Sequence, residues 1–145
     1  KFTSLQVYKF TSLQVYKFTS LKFRTMKEYS FEKLIVWQES RKLTKEVYLI
    51  SRKFPKEEQF GLTSQVRRAV VSVCSNIAEG SSRSTAKDRA RFTEMSYGSL
   101  LEVLNQLILA VDLEFITMEE LNKLRPRIDE ISMMLNGLRK SQLNL

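Results

Sequence analysis

Apolar residues recur every three or four positions over four long stretches of the chain, which is the spacing of amphipathic helices. The clearest stretch runs from Phe60 to Gly80, and one stripe collects Leu62, Val66, Ala69, Val70, Val73 and Ile77. Glu79-Gly80 followed by two serines predicts the end of this helix, with Gly80 in the left-handed conformation that glycine adopts at little steric cost. We therefore expect a helix over residues 60–80 that buries this stripe.

The same helix carries two further strips that a simple surface helix would not need. One strip is mostly small and apolar and consists of Arg67, Val71, Cys74 and Ala78. The other is polar with few charges and consists of Arg68, Ser72, Ser75, Asn76 and Glu79. A surface helix normally places charged residues opposite its apolar stripe. The pattern predicts that this helix is covered on more than one side, by a neighbouring helix or a neighbouring subunit.

Two other helices are predicted near the two ends of the periodic region. The first runs from about Phe31 to Phe54, and its apolar stripe contains Val36 or Trp37, Leu43, Val47, Ile50 and Phe54. Pro55 ends this helix because a proline displaces the preceding residue from helical conformation. The last starts at a capping box from Thr117 to Glu120, and Pro126 inside it predicts a kink or a regular helix that begins only after Arg125. The apolar stripe of this last helix contains Leu121, Leu124, Ile128, Ile131, Leu135 and Leu138.

The remaining helix follows an N-cap at Ser84 or Thr85 and runs to about Phe115. Its predicted core stripe is Tyr97, Leu100, Leu101, Leu104, Leu107, Ile108, Val111 and Phe115. The opposite side holds Gly98, Ser99, Glu102, Gln106, Leu109 and Leu113 instead of charged residues. Because a glycine inside a helix costs about 1 kcal/mol relative to alanine, Gly98 indicates a close backbone approach. This second side is therefore predicted to be a contact surface.

Four amphipathic helices with short connections predict an all-α fold, an antiparallel up-down-up-down four-helix bundle, over residues 26–145. Residues 1–25 differ in character, because KFTSLQVY occurs twice and KFTSLKFR follows. The repeats lack the glycine, proline or asparagine of a tight hairpin turn, so we expect an extension outside the fold. One hypothesis is that Met26 is the true start of the protein. The extension lacks the apolar core and cleavage site of a signal peptide.

Composition narrows the functional classes. The formal net charge is +8, yet five of the 24 basic residues lie in residues 1–25, which leaves 19 basic against 16 acidic residues in the predicted bundle. With no histidine and one cysteine, the chain lacks the usual neutral-pH general base, a disulfide framework and a Cys/His zinc site. We expect no enzyme activity, cofactor or metal, an inert thiol at Cys74, and a reducing cytoplasm. Residues 100–111 are too short and too interrupted by polar residues to cross a membrane.

The spacing of two motifs, QVRRA at residues 65–69 and NIAEG at residues 76–80, resembles a known family. That family comprises small bacterial four-helix bundle proteins encoded in intervening sequences of large-subunit ribosomal RNA genes. The resemblance covers roughly residues 31–138 and includes Val36-Trp37-Gln38, Phe60-Gly61-Leu62, Gly98-Ser99-Leu100 and the stretch from Met134 to Leu138. A related protein, the accessory subunit of diversity-generating retroelements, has the same architecture and binds nucleic acid and a reverse transcriptase.

The resemblance implies a ring-like homo-oligomer, a pentamer, with no established enzymatic activity. The polar residues that match the family lie away from the main core stripes, so we interpret them as candidate oligomer-interface residues: Arg68, Ser72, Asn76, Glu79, Gly98, Ser99 and Glu102. Our hypothesis is that Glu79 and Glu102 pair with Arg67 or Arg68, within or between subunits. The small residues would then permit close approach of helices.

Three functional interpretations follow. In the first, the oligomer associates with RNA through basic residues that contact phosphates, and the candidates are Arg67, Arg68, Arg83, Lys87, Arg89 and Arg91. In the second, the protein is a structural or adaptor oligomer that binds another protein without nucleic acid. An enzyme is the third and least favoured interpretation, because no metal site, phosphate loop or activated nucleophile accompanies the carboxylates.

Overall fold

The computed structural model describes residues 26–145, and over this range the chain forms four long helices and no strand. Helix α1 spans Ile35–Ile50, α2 spans Leu62–Ser81, α3 spans Ala86–Asp112 and α4 spans Met118–Leu143. Short 3-10 helices precede α1 and connect it to α2, at Ser30–Lys33, Ser51–Lys53 and Lys56–Phe60. The prediction of an all-α four-helix bundle is confirmed. The predicted extension, residues 1–25, lies outside the described residues.

Each helix packs against two others, so that α1, α2, α3 and α4 form a closed cycle of neighbours. The contact between α2 and α3 is the most extensive. Along α1 and α2 the contacts pair in opposite order, since Thr44 meets Cys74 at 3.6 Å whereas Ser51 accepts a hydrogen bond of 2.8 Å from Arg67. This is the order expected of antiparallel neighbours. The up-down-up-down order of the whole bundle stays a prediction.

The core is built from aliphatic side chains of all four helices. The predicted stripes of α1, α2 and α4 are confirmed, because most of their members are buried: Val36, Leu43, Val47, Val66, Ala69, Val70, Val73, Ile77, Leu121, Leu124, Ile128, Ile131 and Leu135. Burial of such side chains stabilises the fold by roughly 1.5–3 kcal/mol each. At one end of the bundle Phe54 packs against Phe115, with ring centroids 5.7 Å apart. None of the helices within residues 26–145 combines the length and apolarity of a membrane span.

Local signals at the helix ends are mostly confirmed. Thr85 caps α3 by accepting a hydrogen bond of 3.1 Å from the amide of Asp88. Thr117 and Glu120 form the reciprocal capping box that starts α4 at Met118. The predicted delay of α4 until after Pro126 is wrong, because the helix continues through the proline. The capping box satisfies exposed amides and burial of apolar residues anchors the first turns, which offsets the hydrogen bond that the proline lacks.

Gly80 has a different role from the predicted one. It lies inside α2 with negative φ, and the helix continues to Ser81 with Ser82 as the C-cap, so the predicted left-handed conformation is wrong. Gly80 is buried, and a Cβ atom at this position would lie 2.8 Å from Cβ of Phe92 on α3. The glycine is needed because α2 and α3 approach too closely at this point for any side chain.

The core stripe predicted for α3 is also partly wrong. Leu101 and Ile108 are 45% and 39% exposed, whereas the buried residues of α3 are Ala90, Thr93, Ser96, Leu100, Val103, Gln106, Leu107 and Ala110. The buried side is displaced toward small and polar residues, of which Ser96 contacts α2 and Thr93 contacts α4. Ser96 is fully buried, and its hydroxyl donates a hydrogen bond of 2.9 Å to the carbonyl of Val73. The close approach of α2 and α3 therefore decides which side of α3 is buried.

We expect Gly80→Ala to destabilise the fold by about 1–3 kcal/mol, because the new methyl group overlaps a Cβ atom attached to the α3 backbone. Thermal unfolding followed by circular dichroism measures the effect. Gly137→Ala is the matched control, since Gly137 is helical and exposed with no atom within 4 Å of its added Cβ. Alanine there should raise stability by up to about 1 kcal/mol. Equal responses of the two variants would contradict the close contact.

Candidate functional site

The outward side of α2 carries exposed residues with no neighbouring helix over them. These residues are Arg68, Val71, Ser75 and Glu79, and we call them the α2 crest. Val71 is 42% exposed although it is apolar. A groove lies on each side of the crest, one toward α1 and one toward α3. The crest contains three members of the polar strip predicted from the sequence, namely Arg68, Ser75 and Glu79.

The groove between α1 and α2, here called the α1–α2 groove, consists of two adjoining clefts of about 720 and 430 Å³ that share Tyr48, Val71 and Ser75. Its apolar lining includes Tyr48 and Val71, and Phe60 at one end is 90% exposed. Every charged residue that lines the groove is basic: Arg41, Lys45, Arg67 and Arg68. Within the described residues, none of these four has a carboxylate oxygen within 4.0 Å. The groove is therefore positively charged with an apolar floor.

Arg67 is held in a fixed position in this groove. Its Nε donates a hydrogen bond of 2.8 Å to the hydroxyl of Ser51, and its guanidinium carbon lies 5.0 Å from the ring centroid of Tyr48. Ser51 is buried and donates in turn to the Tyr48 carbonyl at 3.2 Å. These contacts fix the side chain while its terminal nitrogens remain able to donate. A guanidinium held in this way is suited to a carboxylate or a phosphate, because little side-chain entropy remains to be lost.

The groove between α2 and α3, of about 380 Å³, is lined by Gln65, Arg68, Ala69, Ser72 and Glu102. Beside it the Ser72 and Ser99 hydroxyls lie 2.9 Å apart, and Asn76 donates to the Ser72 carbonyl at 2.9 Å. The structure thus gathers five of the predicted interface residues along one seam. The other two, Glu79 and Gly98, lie at the surface beside it. This seam is held together within the chain by short polar contacts.

One polar atom at the seam lacks a partner. Gln106 is 4% exposed and donates from Nε2 to Glu102 at 3.1 Å, but its Oε1 has no hydrogen-bond partner among the described residues. Gln106 was predicted to belong to a contact surface on the side of α3 opposite the core stripe, and it is buried within the chain itself. The same rotation of α3 that exposes Leu101 turns Gln106 toward α2.

The predicted ion pairs are absent within residues 26–145. Glu79 pairs with Arg83 in place of Arg67 or Arg68, and Glu102 accepts its hydrogen bond from Gln106. Arg68 and Glu102 line the same groove, yet no ion pair within 4.0 Å joins them. The pairing hypothesis in its within-subunit form is therefore wrong, because partners four residues further along the chain satisfy both carboxylates. Its between-subunit form stays a prediction.

The six candidate nucleic-acid residues fall into two separate groups. Arg67 and Arg68 lie near the start of α2, and the other four lie around the connection from α2 to α3, about 20 Å away at 1.5 Å per helical residue. Arg83 pairs with Glu79 and lies 4.6 Å from the centroid of the Phe92 ring.

Arg89 has a structural role in the same connection. Its Nη1 donates to the carbonyls of Arg83 and Ser84, at 3.1 and 3.2 Å. Lys87 and Arg91 are exposed, and neither has a carboxylate within 4.0 Å in the described part of the chain. Of this second group, Lys87 and Arg91 are therefore the residues best placed to contact a ligand.

Sequence reasoning did not identify the α1 side of the α1–α2 groove. Arg41, Lys45 and Tyr48 follow one another at spacings of four and three residues, which places them on one face of α1. An exposed tyrosine in line with two basic residues was the available signal. Cys74 lies at the edge of this groove, where burial raises the pKa of its thiol. Residues 26–145 contain no group of three or more metal-ligating side chains.

Comparison with known proteins supports the fold and identifies the family. The 23S rRNA-intervening sequence protein family model matches residues 32–137. A crystal structure from Bacteroides thetaiotaomicron, a protein of unknown function from the S23 ribosomal protein family, is similar in fold with a TM-score of 0.67 and 20% sequence identity. The similarity covers 73% of this chain and 99% of that chain. No curated protein sequence matches the chain. The family match confirms the resemblance seen in the two motifs of α2, and the chain belongs to the 23S rRNA-intervening sequence protein family.

Proposed function

We propose that the protein is a non-enzymatic, cytoplasmic, homo-oligomeric helical scaffold whose copies meet along the α2 crest and the grooves beside it. The observation that carries this proposal is the α1–α2 groove, which combines exposed apolar side chains with four basic residues that have no carboxylate partner in the described chain. Exposed apolar surface bordered by polar groups is typical of protein interaction sites. The ring of five copies implied by the resemblance is the assembly that we propose.

Gly98 supports self-association independently. An added Cβ at this position would meet nothing within 4 Å in the described chain, so no contact there requires a glycine. A glycine inside a helix nevertheless costs about 1 kcal/mol relative to alanine. Met95 and Leu109 lie on the same outward side of α3 and are 39% and 42% exposed. A neighbouring copy that packs closely against this side would account for both the glycine and the exposed apolar residues.

Gly98→Ala should leave the helix content unchanged and weaken the assembly, because a methyl group would intrude into the contact between copies. Light scattering after size-exclusion chromatography, over a range of protein concentrations, measures the change in mass. Gly137→Ala serves again as the control, since it makes the same substitution at another open helical position. An unchanged mass for Gly98→Ala at every concentration would argue against a close contact at this glycine.

Association with RNA is the second part of the proposal, and the exposed pair Lys87 and Arg91 favours it. The two residues lie in the first two turns of α3, four positions apart on one side of the helix. In a ring the pair is repeated in every copy, which increases the affinity for a long polyanion by multivalency. The alternative is an adaptor oligomer that binds another protein and no nucleic acid.

Replacing both Lys87 and Arg91 with alanine should weaken RNA binding. Fluorescence anisotropy with a labelled single-stranded RNA, between 50 and 200 mM salt, gives the dependence of affinity on salt. The loss of two phosphate contacts should reduce the slope of the logarithm of the binding constant against the logarithm of the salt concentration by about 1.4 in magnitude per copy. Arg52 and Lys56, also exposed and without a carboxylate partner in the described residues, provide a matched double alanine control. An assembled protein that retains no RNA at low salt would favour the adaptor interpretation.

A further inference from the structure

The connection between α3 and α4 ends in an exposed acidic and apolar turn. We call Asp112, Leu113 and Glu114 the α3–α4 tip; all three are exposed, and Leu113 is 54% exposed. Neither acidic residue has a basic group within 4.0 Å in the described part of the chain. The tip thus presents two unpaired carboxylates on either side of an apolar side chain.

The α3–α4 tip is held rigidly by the residues that follow it. The amides of Phe115 and Ile116 donate to the carbonyl of Ala110, at 2.8 and 3.3 Å, and Glu114 adopts a left-handed conformation with φ of 59°. Ile116 is buried, which anchors the turn to the core. A rigid turn loses little conformational entropy when it binds, so it is a favourable docking element.

The tip and the α1–α2 groove are complementary in charge and in apolar character. All four charged side chains that line the groove are basic, and Tyr48 and Val71 supply apolar surface between them. The tip supplies two carboxylates and Leu113. A phosphate backbone would neutralise the basic residues but would leave the apolar floor uncovered. The groove therefore fits an occupant that carries both carboxylates and an apolar side chain.

The tip and the groove lie toward the same end of the bundle but on different sides. Phe54, which follows α1, packs against Phe115 beside the tip, and Lys53 pairs with Glu120. The groove lies between α1 and α2, whereas the tip connects α3 to α4, the opposite pair in the cycle of neighbouring helices. A rotation about an axis parallel to the helices therefore brings the tip of one copy level with the groove of the next. Contacts of this head-to-tail kind form a ring when the rotation between successive copies closes, and an open filament when it does not.

We propose that the α3–α4 tip of one copy docks in the α1–α2 groove of the next copy, with its carboxylates on Arg67 and Arg68 and with Leu113 against Tyr48 and Val71. The proposal rests on the self-association proposed above and assigns one pair of surfaces that meet, in addition to the contact proposed at Gly98. Each copy then gives a tip to one neighbour and a groove to the other.

Charge reversal on each side tests the contact. The groove variant carries Lys45→Glu and Arg68→Glu, and the tip variant carries Asp112→Lys and Glu114→Lys. Each places like charges together, so the dissociation constant of the assembly should rise about a hundredfold or more. The chain with all four substitutions restores opposite charges and should assemble again. The control, Arg52→Glu with Lys140→Glu, reverses two exposed basic residues elsewhere and should assemble like the unmodified protein.

Mass by light scattering and helix content by circular dichroism are recorded for every variant. An unmodified protein with the mass of one chain would overturn both the self-association and the docking contact. An assembled protein whose groove and tip variants also assemble would overturn the docking contact alone. If both variants dissociate and the chain with all four substitutions does not assemble again, the two surfaces do not face each other. This outcome also refutes the proposal. If a reversed variant loses helix content, the neutral changes Lys45→Gln with Arg68→Gln and Asp112→Asn with Glu114→Gln replace it and should weaken assembly in the same direction.

RNA binding by the same variants shows whether the α1–α2 groove is occupied by the tip of another copy or by nucleic acid. Loss of RNA binding by the groove variant, with its mass unchanged, would assign the groove to nucleic acid and would overturn the proposal. Retained RNA binding by a dissociated groove variant supports the docking contact and places the RNA surface elsewhere.

Discussion

The close approach of α2 to α3 is the constraint on which the rest of the structure depends. Gly80 permits the contact with Phe92, and the buried hydroxyl of Ser96 donates a hydrogen bond to the Val73 carbonyl. Two helices that approach this closely must present small residues to each other. This requirement fixes the rotation of α3 about its own axis, so Leu101 and Ile108 are turned partly toward solvent. The partial exposure of these two apolar residues is thus a consequence of how tightly the interior of one chain packs.

The opposite side of the bundle satisfies its charges internally. Arg127 on α4 lies between Glu39 and Glu46 on α1 and binds both, and Lys42 donates to Glu39 at 2.6 Å. The Lys42 hydrogen bond is the largest of the effects that hold the pKa of Glu39 below its usual range. Because acidic and basic residues on this side pair within the chain, it offers little electrostatic attraction to a partner. The α1–α2 groove has the reverse property, since its basic residues lie close together without carboxylates.

The sequence was sufficient for those features that depend on local interactions. Helix number, the caps at Thr85 and Thr117, and the apolar stripes of α1, α2 and α4 follow from periodicity and capping chemistry, which act over a few residues. The role of Gly80 and the buried side of α3 could not be predicted, because both depend on the distance between two helices. The α1–α2 groove was missed for a similar reason. Half of the groove lies on α1, whereas the motifs QVRRA and NIAEG both lie on α2.

Net charge is a poor guide to partners when opposite charges occupy different surfaces. The residues from Met26 onward carry 19 basic and 16 acidic groups, a nearly balanced count that argues against a strongly anionic ligand. The structure nevertheless separates basic residues in the α1–α2 groove from carboxylates at the α3–α4 tip. A head-to-tail assembly requires two surfaces of opposite sign on every copy, and their charges cancel in the total. A balanced count is therefore what self-recognition of this kind produces, whereas recognition of a polyanion alone would leave an excess of basic residues in the folded part.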